Sequence, residues 1–364
     1  MPPIASSANR LALDYRAQAS GLGDPVVPII DIHTHIGGEQ ASRIYDQVRR
    51  LFGVRLTYSM TQLPGVPAVK DSLGDSVRFI AFPTFSDPDK HRAHRQGFLD
   101  AIEIFHSQHG SRILKIWNAP RLREVFPGDA GVDLVEADSP WRVKACELGQ
   151  RLGMMFMIHI ADPDTWFKTR YSDTAKFRTK PEHYIALERM LDRFTAPWIA
   201  AHMGGWPEDL GFLDGMLTRH PNLHLDTSAT KWVVRALSMH PREESVAFFT
   251  KWKGRVLFGS DIVVTEDHLT PQKDATHPMA DLADSPESAF DLYASRYYAL
   301  RTMLETTYEG ESPIADPDLM MVDPVKYDRM SAPHLRGLGL SREVLMEMYT
   351  GAAERVVGGW ERTH

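Results

Sequence analysis

The sequence predicts an α/β protein in which parallel strands, buried on both faces, alternate with helices. Eight apolar segments support this prediction, and most are continuous hydrophobic runs rather than alternating ones, as expected in a parallel sheet. Helical patterns lie between several of them, which predicts βαβ units. Eight such units favour a closed (β/α)8 TIM barrel. A doubly wound open sheet is the alternative, although no Gly-x-Gly-x-x-Gly motif follows the first strand. The segments are 26–36, 55–60, 77–85, 112–118, 154–160, 198–203, 223–228 and 256–262.

Capping residues mark the predicted helix boundaries. Ser139-Pro140 is typical of an N-cap followed by proline at the first helical position, and Gly153 is expected to end that helix. A second helix is predicted to open at Pro181. Beyond the eighth strand, Ser285-Pro286 predicts another N-terminus, and the closing helix is expected over 342–357, ended by two glycines.

Composition shifts along the chain predict its domain organisation. Residues 1–25 are expected to form an N-terminal arm, and residues 26–364 a single barrel domain. Two stretches, 265–286 and 309–333, are rich in Asp and Pro. The region 263–335 is therefore predicted to be an elaboration at the barrel rim.

Composition and charge exclude several classes of protein. The 364 residues are 43% hydrophobic and 24% charged, which is ordinary for a soluble globular chain. A net charge of -7 without a basic block argues against nucleic-acid binding. No segment has the length and apolarity of a membrane span or a signal peptide, so a cytoplasmic location without a membrane partner is expected. Cys146 is the only cysteine, so any metal must be held by nitrogen and oxygen ligands.

Histidines and an aspartate end four of the predicted strands. His33 and His35 close the first strand as a His-x-His pair, whose side chains share one face. His159, His202 and Asp261 end the fifth, sixth and eighth strands. The carboxyl ends of barrel strands form one functional face, so these groups are expected to converge. Such a donor set suits Zn, with Mn or Fe as alternatives, and would activate a bound water near neutral pH.

These motifs carry a resemblance to a known family. The chain resembles the amidohydrolase superfamily, in the amidohydrolase-related branch that includes aminocarboxymuconate-semialdehyde decarboxylase, resorcylate-type decarboxylases and several lactone hydrolases. The motifs appear in the order that this family shows. Thr350-Gly351-Ala352 stands where the family usually has Gly-Asn-Ala, which weakens assignment to a named subfamily. The matching segments are Asp31-Ile32-His33-Thr34-His35, Ile158-His159, Ala201-His202-Met203-Gly204-Gly205, Leu225-Asp226-Thr227-Ser228 and Phe258-Gly259-Ser260-Asp261.

The resemblance implies a role for each site residue. His33, His35, His159 and Asp261 would be metal ligands, and Asp261 would also shuttle the proton of the attacking water. His202 would either lie behind the metal ligands or polarise the substrate. The implied activity is a metal-dependent hydrolase using metal-bound hydroxide on a lactone, amide or related carbonyl. A non-oxidative decarboxylase of an aromatic or unsaturated acid is an alternative at the same site, and a non-catalytic metal-binding protein is a third. The resemblance also implies a homodimer.

Each site residue also has an ordinary structural interpretation. The ring nitrogens of His33 and His35 are compatible with ordinary hydrogen bonds to loop carbonyl groups. His159 follows an apolar run and is compatible with a histidine packed in the core. Asp261 follows Gly-Ser and is compatible with a turn or an N-cap.

Four further residues are candidates for contact with substrate. Lys115 lies in an apolar strand, where it is compatible with a salt bridge, with an anionic substrate, or with carbamylation that bridges two metals. Trp166 and Trp206 offer flat apolar walls, and Arg121 could hold a carboxylate. We therefore expect a small, carboxylate-bearing substrate.

Overall fold

A computed structural model describes residues 5–271 and 279–364 of the chain. Parts of the predicted arm (1–25) and of the predicted rim elaboration (263–335) fall outside the described residues. The division into an arm and a barrel domain (26–364) stays a prediction.

Every predicted strand segment contains a strand. The eighth segment, 256–262, is predicted to be continuous and is not: it breaks at 258–261, where the backbone of Asp261 turns to φ 59°. The Asp- and Pro-rich stretch 309–333 is bordered by two strands that pair as an antiparallel hairpin. The strands are β1 (Ile29–Ile36), β2 (Val54–Ser59), β3 (Val77–Phe79), β4 (Ile113–Trp117), β5 (Met155–His159), β6 (Trp198–Ala200), β7 (Leu223–Asp226), β8 (Val256–Leu257), β9 (Ile262–Val264), β10 (Glu309–Glu311) and β11 (His334–Arg336).

Helices follow the strands, as the alternation predicts. The α-helices are Tyr15–Leu22, Glu39–Leu51, Val66–Leu73, Lys90–Ala93, Gln96–His109, Leu122–Val125, Pro140–Arg151, Asp164–Lys168, Thr174–Phe177, Lys180–Arg193, Leu210–Arg219, Thr230–Met239, Arg242–Lys251, Pro286–Glu305, Asp318–Val322, Arg342–Met346 and Gly359–Thr363. Ala201–Gly204 is a short turn that contains left-handed residues. Short 3₁₀ turns lie at Leu63–Gly65, Gly74–Ser76, Gly128–Gly131, Glu266–Leu269 and Ala280–Leu282.

The predicted helix starts are confirmed, and one predicted helix end is wrong. Ser139 precedes Pro140–Arg151 with extended backbone, and Ser285 accepts a hydrogen bond from the Ser288 amide at the start of Pro286–Glu305. The closing helix does not stop at its two glycines. It continues to Thr363 through π-helical turns at 347–351 and 354–358, because glycine in a helical conformation weakens a helix without ending it.

The described chain divides into two compact units. Among the described residues, the first comprises 5–78, 227–271 and 279–353, and the second comprises 79–226 and 354–364. In the first unit, β1 pairs in parallel with β2 on one side and with β9 on the other. In the second unit, β4, β5, β6 and β7 pair in sequence order, all in parallel. The α/β class predicted from the apolar runs is therefore confirmed.

Candidate metal centre

Strand pairing in the first unit brings Asp261 to the end of β1. The register aligns His35 with Val263, so Asp261 lies beside His33, and its amide donates to the His33 carbonyl oxygen at 2.8 Å. The Asp261 Oδ1 lies 3.4 Å from His33 Nε2 and 3.3 Å from His35 Nε2. His33 is fully buried, whereas the side chains of His35 and Asp261 are about one third exposed, at 32% and 27%. Three donor atoms thus converge at one partly open point.

The direction of the Asp261 carboxylate depends on an unusual backbone. Its φ of 59° lies in the left-handed region, which costs a non-glycine residue about 1–2 kcal/mol. Side chains hold the preceding residues in place: Thr227 Oγ1 donates to the Gly259 carbonyl and accepts from its amide, and Thr230 Oγ1 donates to the Ser260 carbonyl at 2.8 Å. The fold therefore holds a strained conformation at this candidate site.

A buried carboxylate, Asp31, ties the two halves of the centre together. Its Oδ1 accepts from the amides of His33 and Ser260, both at 3.1 Å, and its Oδ2 accepts from Ser260 Oγ at 2.6 Å. Burial raises the pKa of Asp31 to about 6, against the opposing effect of these hydrogen bonds. Asp31 is not among the predicted site residues. Its signal in the sequence is a charged residue inside an apolar strand.

Two tyrosines extend this network into the core. The Tyr297 hydroxyl donates to Asp31 Oδ2 at 2.8 Å and lies 2.8 Å from the Tyr45 hydroxyl. Burial raises the pKa of both tyrosines, so both keep their protons and Tyr297 remains a donor. Tyr297 lies 266 residues from Asp31 in the chain, and no sequence pattern links the two.

The second unit contains a network of hydrogen bonds around His159 and His202. His159 Nδ1 lies 3.0 Å from His202 Nε2, and His159 Nε2 lies 3.0 Å from Asp162 Oδ1. The Tyr171 hydroxyl donates to the other Asp162 oxygen at 2.7 Å. Burial opposes ionisation of Asp162, but His159 and the hydrogen bonds outweigh it and lower the pKa of this carboxyl group. Asp162 therefore orients His159, and the sequence reasoning missed it three residues beyond the histidine.

The backbone around His202 is also left-handed. His202 and Met203 have φ values of 59° and 50°, and Gly204 and Gly205 continue at 65° and 77°. The His202 amide donates to Asp226 Oδ1 at 2.9 Å, which anchors the start of this turn. A run of left-handed residues at a candidate functional group is a form of stored strain that the surrounding structure must hold.

The four candidate substrate residues lie in the second unit and their roles stay predictions. Lys115 is buried on β4 opposite Met157, two residues before the level of His159. Trp206 stacks on Tyr184 with the ring centroids 5.6 Å apart. Arg121 has a 42% exposed side chain near Glu124, and Trp166 lies 5.4 Å under the guanidinium of Arg170.

The donor set of the first unit fits a divalent cation. Two imidazole nitrogens and a carboxylate oxygen lie within 4.8 Å of one another at His33, His35 and Asp261. These ligand types suit Zn, and also Mn or Fe, and the site retains access to solvent at two of its three residues. His159 and His202 belong to the second unit, so their assignments as a fourth ligand and a polarising group stay predictions.

Comparison with known proteins assigns the family. The sequence model of the amidohydrolase family matches residues 119–358, which is more than half of the chain. The chain belongs to the amidohydrolase family. This confirms the branch expected from the motifs and the predicted α/β fold of the (β/α)8 class. A search of curated protein sequences found no significant match.

Several solved structures are similar to this chain. A probable 2-pyrone-4,6-dicarboxylic acid hydrolase from Acinetobacter baumannii, with citric acid bound, is 10% identical over 91% of this chain and 100% of its own, with a TM-score of 0.46. A 5-carboxyvanillate decarboxylase from Novosphingobium aromaticivorans, complexed with manganese and a nitrobenzoic acid, is 12% identical over 92% and 96%, with a TM-score of 0.42. A putative amidohydrolase from Staphylococcus aureus is 11% identical over 91% and 99%, with a TM-score of 0.45. At such identities and TM-scores these likenesses carry no inference about activity.

Within residues 5–271 and 279–364, no helix combines the length and the apolarity needed to cross a bilayer.

Proposed function

We propose that this amidohydrolase is a metal-dependent hydrolase that opens a lactone, an amide or a related carbonyl compound. The convergence of His33 Nε2, His35 Nε2 and Asp261 Oδ1 supports the proposal most directly. These residues would hold a divalent cation, with Zn as the first choice. When bound there, such a cation supplies Lewis acidity and lowers the pKa of a water molecule.

Within this proposal, Asp261 has two tasks. One oxygen would bind the cation. The carboxylate would also act as a base that takes a proton from the attacking water, and then as an acid that returns it to the leaving group. This role needs a carboxyl group within hydrogen-bond reach of both. Its partial exposure leaves room for a substrate, while the loop held by Thr227 and Thr230 keeps its direction constant.

The roles of His159 and His202 in this proposal rest on the sequence motifs. Asp162 accepts from His159 Nε2, an arrangement that orients a ligating histidine. His159 Nδ1 would then bind the cation in place of its contact with His202 Nε2, which lies 3.0 Å away. His202 is proposed to polarise the substrate carbonyl, and its left-handed backbone fixes the direction of its ring. A homodimer and a cytoplasmic location remain predictions.

The first test is metal content. Purified full-length protein is expected to hold stoichiometric zinc after dialysis, and His33→Ala and Asp261→Ala to lose it, as measured by elemental analysis. His334→Ala is the matched control, because His334 is half exposed and pairs with Glu309 at the surface. Full metal retention in both site variants would contradict the ligand assignment.

The second test is product chemistry. Zinc-loaded protein is incubated with panels of lactones, amides and aromatic carboxylic acids, and proton release is compared with carbon dioxide release. Hydrolysis with acid formation supports the proposal. Carbon dioxide release without hydrolysis would replace it with the decarboxylase alternative. Stoichiometric metal with no turnover across the panels would favour the non-catalytic alternative.

A further inference from the structure

The hydrogen bonds around His159 have a fixed direction, which starts from the carboxylate of Asp162. The Tyr171 hydroxyl donates to Asp162 Oδ2 at 2.7 Å, and burial raises the pKa of Tyr171, so this hydroxyl keeps its proton. Burial opposes ionisation of Asp162, but the pKa of this carboxyl group is nevertheless lowered, which leaves it ionised at neutral pH. An ionised carboxylate only accepts hydrogen bonds. Asp162 therefore accepts from Tyr171 on one oxygen and from His159 on the other.

The direction continues from His159 to His202. His159 Nε2 lies 3.0 Å from Asp162 Oδ1, so this nitrogen carries the proton of the hydrogen bond. A neutral imidazole carries a single N–H, so Nδ1 of the neutral His159 ring has a lone pair and no proton. His202 Nε2 lies 3.0 Å from that Nδ1 and is therefore the donor between the two rings.

Packing keeps both histidine rings in this arrangement. Their planes meet at 76° with the ring centroids 4.6 Å apart, so the edge of one ring faces the other. Trp117 adds a second edge contact to His159, with the ring centroids 6.5 Å apart. Tyr171 is fully buried, and its ring centroid lies 4.8 Å from that of Phe177. A rotation of the His159 ring away from Asp162 would break the hydrogen bond that sets its proton.

His159 Nδ1 has one lone pair, and two groups can use it. In the metal-free arrangement this lone pair accepts from His202. A metal-binding histidine uses the lone pair of one nitrogen and donates its other N–H to a partner such as a carboxylate, and Asp162 already is that partner. His159 can therefore bind a cation through Nδ1 only if it gives up the hydrogen bond from His202.

We propose that His202 and a divalent cation compete for the Nδ1 lone pair of His159, and that His202 turns its Nε2–H to a substrate carbonyl once His159 binds the cation. This inference rests on the proposed function, which takes His159 as a ligand and His202 as the group that polarises the carbonyl. It adds that His159 engages the His202 donor in the metal-free protein. Asp162 and Tyr171 are then positioning residues, because they act on His159 rather than on the substrate.

The first test is the zinc affinity of His202→Asn. Asparagine is tolerated at the left-handed backbone of residue 202, where φ is 59°, and its side chain is shorter than an imidazole. Loss of the competing hydrogen bond is expected to tighten zinc binding by about 2–10-fold. Affinity is measured by competition between the full-length apoprotein and a fluorescent chelator. His334→Asn is the matched control, because His334 is half exposed and pairs with Glu309 at the surface.

Two results of this titration would overturn the competition. Weaker zinc binding by folded His202→Asn would show that His202 itself holds the cation. Unchanged affinity would show that its hydrogen bond does not oppose binding. If His202→Asn does not fold, the spectroscopic test of the wild type decides.

Nuclear magnetic resonance tests the wild type directly. Protein with ¹⁵N-labelled histidine shows which ring nitrogens carry protons, and His159→Gln identifies the signals of His159. In metal-free protein at about pH 8, above the reference pKa of histidine, we expect the His159 proton on Nε2. Addition of zinc should then change the signals of His159 Nδ1 and of the His202 Nε2–H. A His159 proton on Nδ1, or signals that zinc leaves unchanged, would overturn the proposal.

Asp162→Asn tests the positioning residues. The Tyr171 hydroxyl is expected to keep the asparagine oxygen on its side, so the NH₂ group faces His159 Nε2 and favours a proton on Nδ1. We expect zinc binding at least about tenfold weaker and the His159 proton on Nδ1, with exposed Asp75→Asn as the control. Adding Tyr171→Phe should restore part of the affinity, because the amide can then turn its oxygen to His159. Wild-type affinity with the proton on Nε2 in folded Asp162→Asn would refute the positioning role.

Zinc content of the wild type separates this proposal from the proposed function. A wild type that holds stoichiometric zinc, together with a His202→Asn protein that binds zinc no more tightly, refutes the competition alone. A folded wild type that takes up no zinc refutes the metal centre and this inference with it.

Discussion

Replacing Asp31 with asparagine tests whether this buried carboxylate positions the candidate metal ligands. The asparagine can keep an oxygen opposite the amides of His33 and Ser260, but its NH₂ group would face the hydroxyls of Ser260 and Tyr297, which now donate to Asp31 at 2.6 and 2.8 Å. Two hydrogen bonds to a charged acceptor are lost, at about 1.5–3 kcal/mol each. The variant also avoids burying a charge, which offsets much of this cost.

The expected net effect is therefore small on folding and larger on metal binding. Ser260 adjoins Asp261, so a shift of the 258–261 turn moves a proposed ligand. Substitution of a residue that orients metal ligands typically weakens affinity by about 10–100-fold, equivalent to roughly 1.4–2.7 kcal/mol. We expect Asp31→Asn to fall in this range for zinc while its far-ultraviolet circular dichroism is unchanged.

The assay is a competition titration of zinc between the apoprotein and a fluorescent chelator. Asp75→Asn is the control, because Asp75 is fully exposed in the same unit. Tyr297→Phe removes one of the donors to Asp31 and keeps the carboxylate, so its effect should be smaller than that of Asp31→Asn. Wild-type zinc affinity in a folded Asp31→Asn protein would refute the positioning role.

Three further predictions concern other parts of the molecule. His202→Asn is expected to keep its metal and to lose about 100-fold in kcat; unchanged turnover on any substrate found in the panels would remove its catalytic role. Burial lowers the pKa of His94 to about 3 between the rings of Phe85 and Phe126, so the unfolded chain binds a proton that the native chain does not, and stability is lost as pH falls from about 6.5 toward 3. His94→Phe should flatten the decline of the urea midpoint between about pH 7 and 4.5, and an unchanged slope would contradict this. Ala229→Gly relieves a backbone at φ 62° and should raise stability by about 0.5–1 kcal/mol in thermal unfolding, whereas a loss would show that the site is unstrained.

Local sequence patterns predict much of the fold. Continuous apolar runs predict strands because a parallel strand is covered on both faces, and Ile29, Ile30 and Ile32 in β1 are indeed buried. Ser285-Pro286 predicts a helix start because capping is decided by neighbouring residues. Where the local signal is ambiguous, the prediction fails: glycines at 358–359 are compatible with either a helix end or a weakened turn, and the chain continues as helix.

The candidate site likewise contains residues that the sequence predicts and residues that it does not. His33, His35 and Asp261 can be chosen as candidate ligands from the sequence, because metal binding would explain all three residues at strand ends at once. Asp162 lies within three residues of a recognised histidine and is still missed, because a carboxylate in a loop carries no distinctive pattern. Tyr297 lies on a helix whose spacing says nothing about which group its side chain reaches.

By itself, the sequence determined the alternation of strands and helices, the residue types available to a metal, and membership of the amidohydrolase family. These follow from short-range periodicity and from motifs of a few residues. Only the tertiary structure decided that Asp31 holds Ser260, 229 residues away, that the Asp261 backbone turns left-handed, and that His159 and His202 share a hydrogen bond. The physical reason is that hydrogen bonds join side chains without regard to their separation along the chain, so no local pattern records them.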